Sequence, residues 1–241
     1  MSYSQKKAYV PATAARPRTA SLTVEQLESR DLLSAATLAV ASGIVHSTEN
    51  FDNFVISEYA ALLGRAPDAG GFQFWVGQLQ NGMSPEAVEA GFVSSSEYIF
   101  DHGNNPSLWL TGLYNDLLGR APDAGGFNNW LNALAGGMSP SQIAQAFATS
   151  IERESILIRQ DYLAFLGRVP SSPEIGVWLN FEAQGHNRAD VAAQILASDE
   201  FFADHAKSPS GFITGVYQDV LLRTPSTPEV DVWLSVYDSK L

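Results

Sequence analysis

The stretch Leu63-Gly64-Arg65-Ala66-Pro67-Asp68-Ala69-Gly70-Gly71-Phe72 returns letter for letter at residues 118–127. Outward from it, four tyrosines each begin one pattern, with leucine four, arginine six, proline eight and tryptophan sixteen residues later. Four of the five tryptophans occupy a single position of this pattern, so the chain consists of tandem copies of one structural unit. The recurring residues are Tyr59, Arg65 and Trp75; Tyr114, Arg120 and Trp130; Tyr162, Arg168 and Trp178; and Tyr217, Arg223 and Trp233.

Copies one to three also share a closing glutamate 38 residues after the tyrosine, at Glu97, Glu152 and Glu200. The connector from that glutamate to the next tyrosine is 17, 10 and 17 residues long, so rigid units alternate with variable joints. Copy four ends at Leu241, before its glutamate. The predicted segments are a flexible leader (1–35), a connecting helix (36–50), copies one to three (51–105, 106–158 and 159–207) and a truncated copy four (208–241).

Each copy has the start and stop residues of helices. The first helix ends at a glycine suited to a left-handed cap (Gly64, Gly119 or Gly167), whereas copy four has Leu222 there, so we expect its cap to differ. The second helix begins near Asp68 or its counterparts, and the third at Ser84, Ser139 or Asn187, followed in copies one and two by a proline.

No segment alternates apolar and polar residues over a strand length, so the predicted fold class is all-α. We expect a helical array of tandem three-helix repeats, three complete and one truncated. The 10-residue joint from Glu152 to Tyr162 lacks glycine and proline and is predicted to be one helix. The two long joints contain helix breakers, Gly103 to Pro106 and Ser208 to Gly211.

Composition excludes several function classes. The 241 residues include no cysteine, which excludes disulfides, iron–sulfur clusters and cysteine-based zinc sites. A formal net charge of -12 disfavours nucleic-acid binding, and no apolar run is long enough for a membrane span. The four histidines share no repeat position and form no His-Glu-x-x-His motif, so we predict neither a zinc site nor any catalytic residue.

The repeated motif, with its Met-Ser-Pro and its closing Phe-x-x-Ser-x-Glu, resembles the bacterial family called domain of unknown function 4214. The resemblance covers residues 51–241. It implies helical repeats similar to those of phycobilisome linker proteins, in large secreted, surface-layer or toxin-like proteins, with no established catalytic residues. Copies three and four depart from the motif, because Asp-Ala-Gly-Gly is replaced by Ser-Ser-Pro-Glu and Ser-Thr-Pro-Glu.

The front segment resembles a second pattern. Residues 22–35, which include Leu27-Glu28-Ser29-Arg30 and Leu32-Leu33-Ser34-Ala35, are similar to the leader of exported proteins of planctomycete-type bacteria. A basic stretch also precedes the apolar run from Leu32 to Val45, as in a secretion signal. We therefore expect an exported, extracellular or cell-surface protein; the alternative is an amphipathic first helix.

The repeated arginine is the position of the pattern best suited to bind a ligand. It could bind a sulfate, a phosphate or a carboxylated glycan, but we favour an internal pair with the glutamate 32 residues later, because a partly buried arginine needs a partner. Arg223 lacks such a glutamate and is predicted to be the one arginine free for another molecule. The tyrosines and tryptophans lie in register with leucine and phenylalanine, which favours core packing over a sugar-stacking face. Trp109 falls outside the pattern and is expected at the surface.

No cofactor is predicted. The segment from Asp101 to Asn105 has oxygen ligands for calcium but lacks the loop pattern of an EF-hand, so we interpret it as a turn that ends a helix.

Truncation leaves the apolar faces of copy four without a third helix. Three alternatives are that copy four caps copy three, that the helix of residues 36–50 covers it, or that another chain does, which would give self-association.

The sequence predicts a non-catalytic structural or protein-interaction module whose partner is a protein or a cell-surface polymer. The alternative is a secreted hydrolase or glycan-acting enzyme with its site on the connectors between copies.

Overall fold

The structure is a computed structural model that describes residues 24–205 and 207–241. Over these residues the chain is entirely helix and turn, which confirms an all-α fold of tandem helical repeats. The helices are α1 (Val24–Val45), α2 (Thr48–Leu62), α3 (Ala69–Gln80), α4 (Pro85–Val93), α5 (Ser96–Asp101), α6 (Pro106–Leu118), α7 (Ala124–Ala135), α8 (Pro140–Ala148), α9 (Ile151–Phe165), α10 (Ser172–Ala183), α11 (Arg188–Leu196), α12 (Asp199–Asp204), α13 (Pro209–Val220) and α14 (Thr227–Asp238). In the part of the chain described, no helix is both long and apolar enough to cross a membrane.

The expected start and stop residues cap these helices. Ser84 and Ser139 accept hydrogen bonds from backbone N–H groups of the first turns of α4 and α8. Gly119 ends α6 with a φ of 64°, in the left-handed region. Leu222 adopts the same conformation in copy four, with a φ of 57°. The prediction of a different cap there is therefore wrong: the turn geometry is kept although the glycine is lost.

The joints also follow the sequence. α9 runs without a break from the closing Ser-x-Glu of copy two into the tyrosine helix of copy three, as predicted for the short joint. Each long joint is split into two helices, α5 with α6 and α12 with α13. Asn104 and Lys207 lie at these breaks with φ values of 52° and 49°.

The C-terminal half of α1 is the missing third helix of copy four. α1 packs against α11, α13 and α14, and its buried Ile44 shares a core cluster with Phe212 and Tyr217. A Cβ atom on Gly43 would collide with the Trp233 ring, just as one on Gly91 of α4 would collide with the Trp75 ring. Of the three alternatives for copy four, the structure therefore shows coverage by the segment that precedes copy one. The face considered for self-association is covered from within the chain.

The front of the chain differs in detail from the predicted segments. Residues 1–23 of the expected leader lie outside the described residues, and residues 24–35 form the first half of α1. The expected connecting helix of residues 36–50 comprises the second half of α1, a turn at His46 and Ser47, and the start of α2.

With α1 in place, the molecule has two equivalent halves. Tyr162 follows Tyr59 by 103 residues, and Tyr217 follows Tyr114 by the same 103. The first half comprises copies one and two; the second half comprises copies three and four together with α1. The third helices meet in the middle: α4 packs on α8, α1 packs on α11, and α4 also contacts α11.

Candidate functional site

The repeated arginine of each complete copy is held by the closing glutamate of that copy. In copy one, Arg65 Nε and Nη2 donate to Glu97 Oε1 and Oε2 at 2.5 and 2.7 Å. The guanidinium carbon also lies 4.7 Å from the centre of the Tyr59 ring, within cation–π range. The same two-pronged pairs join Arg120 to Glu152 and Arg168 to Glu200. The pairing predicted from the 32-residue spacing is present in all three copies.

Copy four completes the same arrangement with a residue from the front of the chain. Arg223 Nε and Nη2 donate to Glu49 Oε1 and Oε2 at 2.5 and 2.8 Å. The prediction that Arg223 is free is therefore wrong. The reason is that Ser47-x-Glu49 supplies the Ser-x-Glu that copy four lacks at the C-terminus.

The second carboxylate at the arginine is an aspartate at 3.5 Å in copies one and two, and a closer glutamate in copies three and four. Arg168 Nη2 donates to Glu174 Oε1 at 2.7 Å, and hydrogen bonding by Arg168 lowers the pKa of Glu174 to about 2. Arg223 pairs with Glu229 in the same way. In copy one the corresponding residue is Gly71, where a Cβ atom would collide with the Tyr59 hydroxyl. Asp68 of copy one also caps α3 by accepting the Gly71 N–H at 2.9 Å.

The repeated tryptophans bind the helices of a copy together. The Trp75 ring stacks on Phe92 with centroids 5.0 Å apart. In copies three and four the indole N–H donates to the repeated tyrosine, as Trp178 does to the Tyr162 hydroxyl at 2.9 Å. Trp109, expected at the surface, is 2% exposed and donates to the Val93 carbonyl oxygen at 2.7 Å, so that prediction is wrong. It lies on the inner face of α6, in the same core cluster as Leu110 and Leu113.

These arrangements leave the arginines little capacity for an external anion. Each of the four side chains is between 36% and 38% exposed, yet its Nε and one terminal nitrogen already hold a carboxylate in a planar, two-point contact. A sulfate or glycan carboxylate would have to displace that glutamate. The repeated residues therefore stabilise each copy internally.

A cluster of acidic side chains, absent from the sequence predictions, lies where the two halves meet. Burial raises the pKa of Glu58 to about 7, with a smaller effect from the charge of Glu89, and burial raises the pKa of Asp161 to about 6. Burial and then the charge of Glu182 raise the pKa of Glu154. The members of the cluster are Glu58, Glu86, Glu89, Glu154, Asp161 and Glu182.

One ion pair in this cluster is fully built. The Arg153 guanidinium pairs with both oxygens of Glu89, and its Nη1 donates to the Leu117 carbonyl oxygen at 2.8 Å. Glu89 is 4% exposed, so this pair is shielded from water and from salt. It connects α9, which joins copies two and three, to α4 of copy one and α6 of copy two.

A cavity of about 400 Å³ lies beside this cluster, between α2, α11 and α13. Most of its wall is apolar, with three phenylalanines, Phe51, Phe54 and Phe165. Its wall also includes Asp161, which is 7% exposed and whose Oδ2 has no hydrogen-bond partner, and Arg188. The closest atoms of these two groups, Arg188 Nη2 and Asp161 Oδ1, are 4.0 Å apart.

The connectors contain a matched pair of histidines. His102 and His205 each have Nδ1 near a backbone carbonyl oxygen one turn earlier, at 2.7 and 2.8 Å, and each lies against a glycine of the next helix, Gly112 or Gly215. The prediction that the histidines share no repeat position is therefore wrong for these two. His205 follows His102 by 103 residues, so they hold equivalent positions in the two halves, whereas copies two and four have no histidine there. Among the described residues, no three acidic or histidine side chains are arranged to hold a metal ion.

Comparison with known families gives two consecutive matches. Residues 46–102 and residues 103–157 each match the model of the domain of unknown function DUF4214. The chain contains two DUF4214 repeats. No match was found among curated proteins or among solved structures. The first DUF4214 match begins next to Ser47 and Glu49, the residues that complete copy four.

Some of the site could have been found from the sequence. The match of Ser47-x-Glu49 to the closing Ser-x-Glu of the other copies is visible once residues 103 apart are aligned. The acidic cluster gives a weaker signal: Glu58 and Asp161 each precede the repeated tyrosine and lie 103 residues apart, but its other members have no acidic counterpart in the other half. They lie together only because the two halves meet there.

Proposed function

We propose that this chain is a non-catalytic structural or interaction module of an exported or cell-surface bacterial protein. The observation that carries the proposal is the internal use of the repeated residues, since each repeated arginine pairs with a glutamate of this chain and lies over the repeated tyrosine of its copy. Groups bonded in this way stabilise the fold and leave the outer helix faces for a partner. Export rests on the resemblance of the leader to those of exported proteins.

The outer helices offer a repeated apolar position to such a partner. The residue before the repeated tryptophan is exposed in copies one, three and four: Phe74 is 54% exposed, and Val177 and Val232 are each 62% exposed. Copy two has the polar Asn129 at this position. An apolar side chain repeated on the outside suits contact with a protein or a cell-surface polymer.

The rival function, hydrolysis at the connectors, finds less support in the geometry. The Nδ1 atoms of His102 and His205 face carbonyl oxygens and must therefore donate, and His205 Nε2 lies 3.8 Å from Asp219. A general base needs a nitrogen directed at the nucleophile, and neither ring has a serine hydroxyl as a hydrogen-bond partner.

The interaction proposal is tested by binding. We expect the purified chain to sediment with cell-envelope material of its own host, and the triple variant F74S/V177S/V232S to remain in solution with unchanged circular dichroism. N129S, the matched change at the polar copy, should bind as the wild type does. Equal sedimentation of the triple variant, or no sedimentation of the wild type, would contradict the proposed surface.

Hydrolysis is tested in parallel on ester, peptide and glycoside substrates. The expected result is no turnover above that of the H102A/H205A variant. Turnover that is lost in this variant would establish the rival function.

A further inference from the structure

The cavity corresponds to the place that the Arg153–Glu89 ion pair fills in the other half of the molecule. Residues 103 apart are equivalent, which relates Asn50 to Arg153 and Ala192 to Glu89. Asn50 and Ala192 both lie in the cavity wall, and so does Val220, the counterpart of Leu117, whose carbonyl oxygen binds Arg153. Two long charged side chains are thus replaced by two short ones. The space between the helices remains as the cavity.

The charged side chains in the wall of this cavity are Arg188, Asp161 and Asp219. The Arg188 guanidinium has five N–H donors, and its closest acidic contact is the 4.0 Å approach to Asp161. Asp161 Oδ2 is buried and has no partner. Buried polar groups normally have partners, so the unpartnered Asp161 Oδ2 indicates that something else belongs in this space.

We propose that the cavity binds a free α-amino acid with an apolar side chain. Its carboxylate would contact Arg188, its ammonium would contact Asp161, and its side chain would pack among Phe51, Phe54 and Phe165. The ligand would carry the same two charges that Arg153 and Glu89 bring to the equivalent place in the first half.

The size and charge of the site support this ligand class. The 4.0 Å between Arg188 and Asp161 suits charged groups on one carbon atom and is too short for the two ends of a dipeptide. An amine alone would leave Arg188 without a ligand carboxylate, and a carboxylate alone would leave the buried Asp161 Oδ2 without a donor, which is unfavourable. The exposed Ser57 and Leu222 lie in the wall, so the cavity is reachable from solvent. This inference does not depend on whether the outer surface binds a partner.

The test is isothermal titration calorimetry of the full chain with L-leucine and L-phenylalanine. The single-charge analogues 4-methylpentanoate, 3-methylbutylamine, 3-phenylpropanoate and 2-phenylethylamine serve as matched ligands. We expect at least one of the two amino acids to bind and its analogues to bind at least about tenfold more weakly. No heat from either amino acid at millimolar concentration, or equal binding of an analogue, would overturn the proposal.

Two kinds of variant locate the binding. R188M and D161N should each weaken it at least about tenfold. N50R/A192E rebuilds the ion pair of the first half inside the cavity, so it should abolish binding without reducing the thermal midpoint. Because this double variant adds contacts, it keeps the test valid if R188M fails to fold. Unchanged binding by N50R/A192E would show that the cavity is not the site.

Discussion

At the residue scale, Leu222 shows how strictly the repeat keeps its geometry. The three other copies place glycine at this turn with φ between 62° and 64°, and Leu222 adopts 57° despite its Cβ atom. A left-handed conformation costs an ordinary L-residue about 1–2 kcal/mol. Copy four therefore carries a local strain that the other copies avoid.

We predict that L222G stabilises the protein by about 1 kcal/mol, because it removes this strain from a side chain that is 78% exposed. The higher backbone entropy of glycine in the unfolded chain offsets part of the gain. The measurement is the free energy of unfolding in urea. G167A, at the equivalent turn of copy three, should lose a similar amount. A destabilised L222G would show that Leu222 contributes packing that outweighs its strain.

The repeated arginines show which ion pairs sequence spacing predicts and which it does not. The 32-residue spacing predicted three Arg–Glu pairs because both partners recur. The fourth pair was missed because its glutamate lies before its arginine, 174 residues away in sequence. A pattern read in one direction along the chain does not show a copy whose parts lie at both ends.

At the element scale, α9 and α10 hold two acidic side chains whose ionisation opposes folding. Burial raises the pKa of Glu154 and of Glu182, and the charge of Glu182 raises that of Glu154 further. Carboxyls of this kind bind more protons in the folded state than in the unfolded state above pH 4.5. Stability is therefore complete below that pH and is lost as the pH rises through the folded pKa values.

We predict that the thermal midpoint falls as the pH rises from 5 to 9, and that E154Q makes this decrease smaller by removing the buried ionisation. E152Q, two residues away in the same helix, is the matched control: the Arg120 hydrogen bonds lower the pKa of Glu152, so its contribution is lost only below about pH 4.5. Circular dichroism melts across the pH range test both. An E154Q midpoint with the same pH dependence as the wild type would contradict the account.

The elements themselves were largely predictable. Serine caps, glycine stops and the breakers of the long joints act locally, so sequence placed α4, α8 and the unbroken α9 correctly. Sequence left the coverage of copy four by α1 as one of three alternatives, because the partners of α1, which are α11, α13 and α14, lie far away in sequence. Local patterns specify helices, whereas the assembly of helices depends on contacts that those patterns do not encode.

At the scale of the whole molecule, the chain closes on itself: its front end completes its last copy. Val40, Ile44 and Val45 of α1 are buried against copies three and four. Each fully buried side chain of this size contributes about 1.5–3 kcal/mol, so the loss of α1 should remove a large part of the net stability.

We predict that a chain starting at residue 36 unfolds at nearly the wild-type urea concentration, whereas a chain starting at residue 47 unfolds much earlier or in two steps. Both keep Glu49, so the difference isolates α1. Equal midpoints for the two truncations would contradict the closed arrangement.

The most direct test of whether α1 covers copy four uses helical glycines that differ in the atoms that an added Cβ would meet. In an open array, G43A would stabilise α1 by about 1 kcal/mol, as expected for glycine to alanine inside a helix. In the closed molecule its new methyl group meets the Trp233 ring, as that of G91A meets Trp75. G176A, with open space around it, is the control.

The measurement is the free energy of unfolding of these three variants in urea. We expect G43A and G91A to be destabilised alike, by about 1–3 kcal/mol, and G176A to be stabilised by about 1 kcal/mol. A G43A variant that is stabilised as G176A is would show that α1 does not cover copy four.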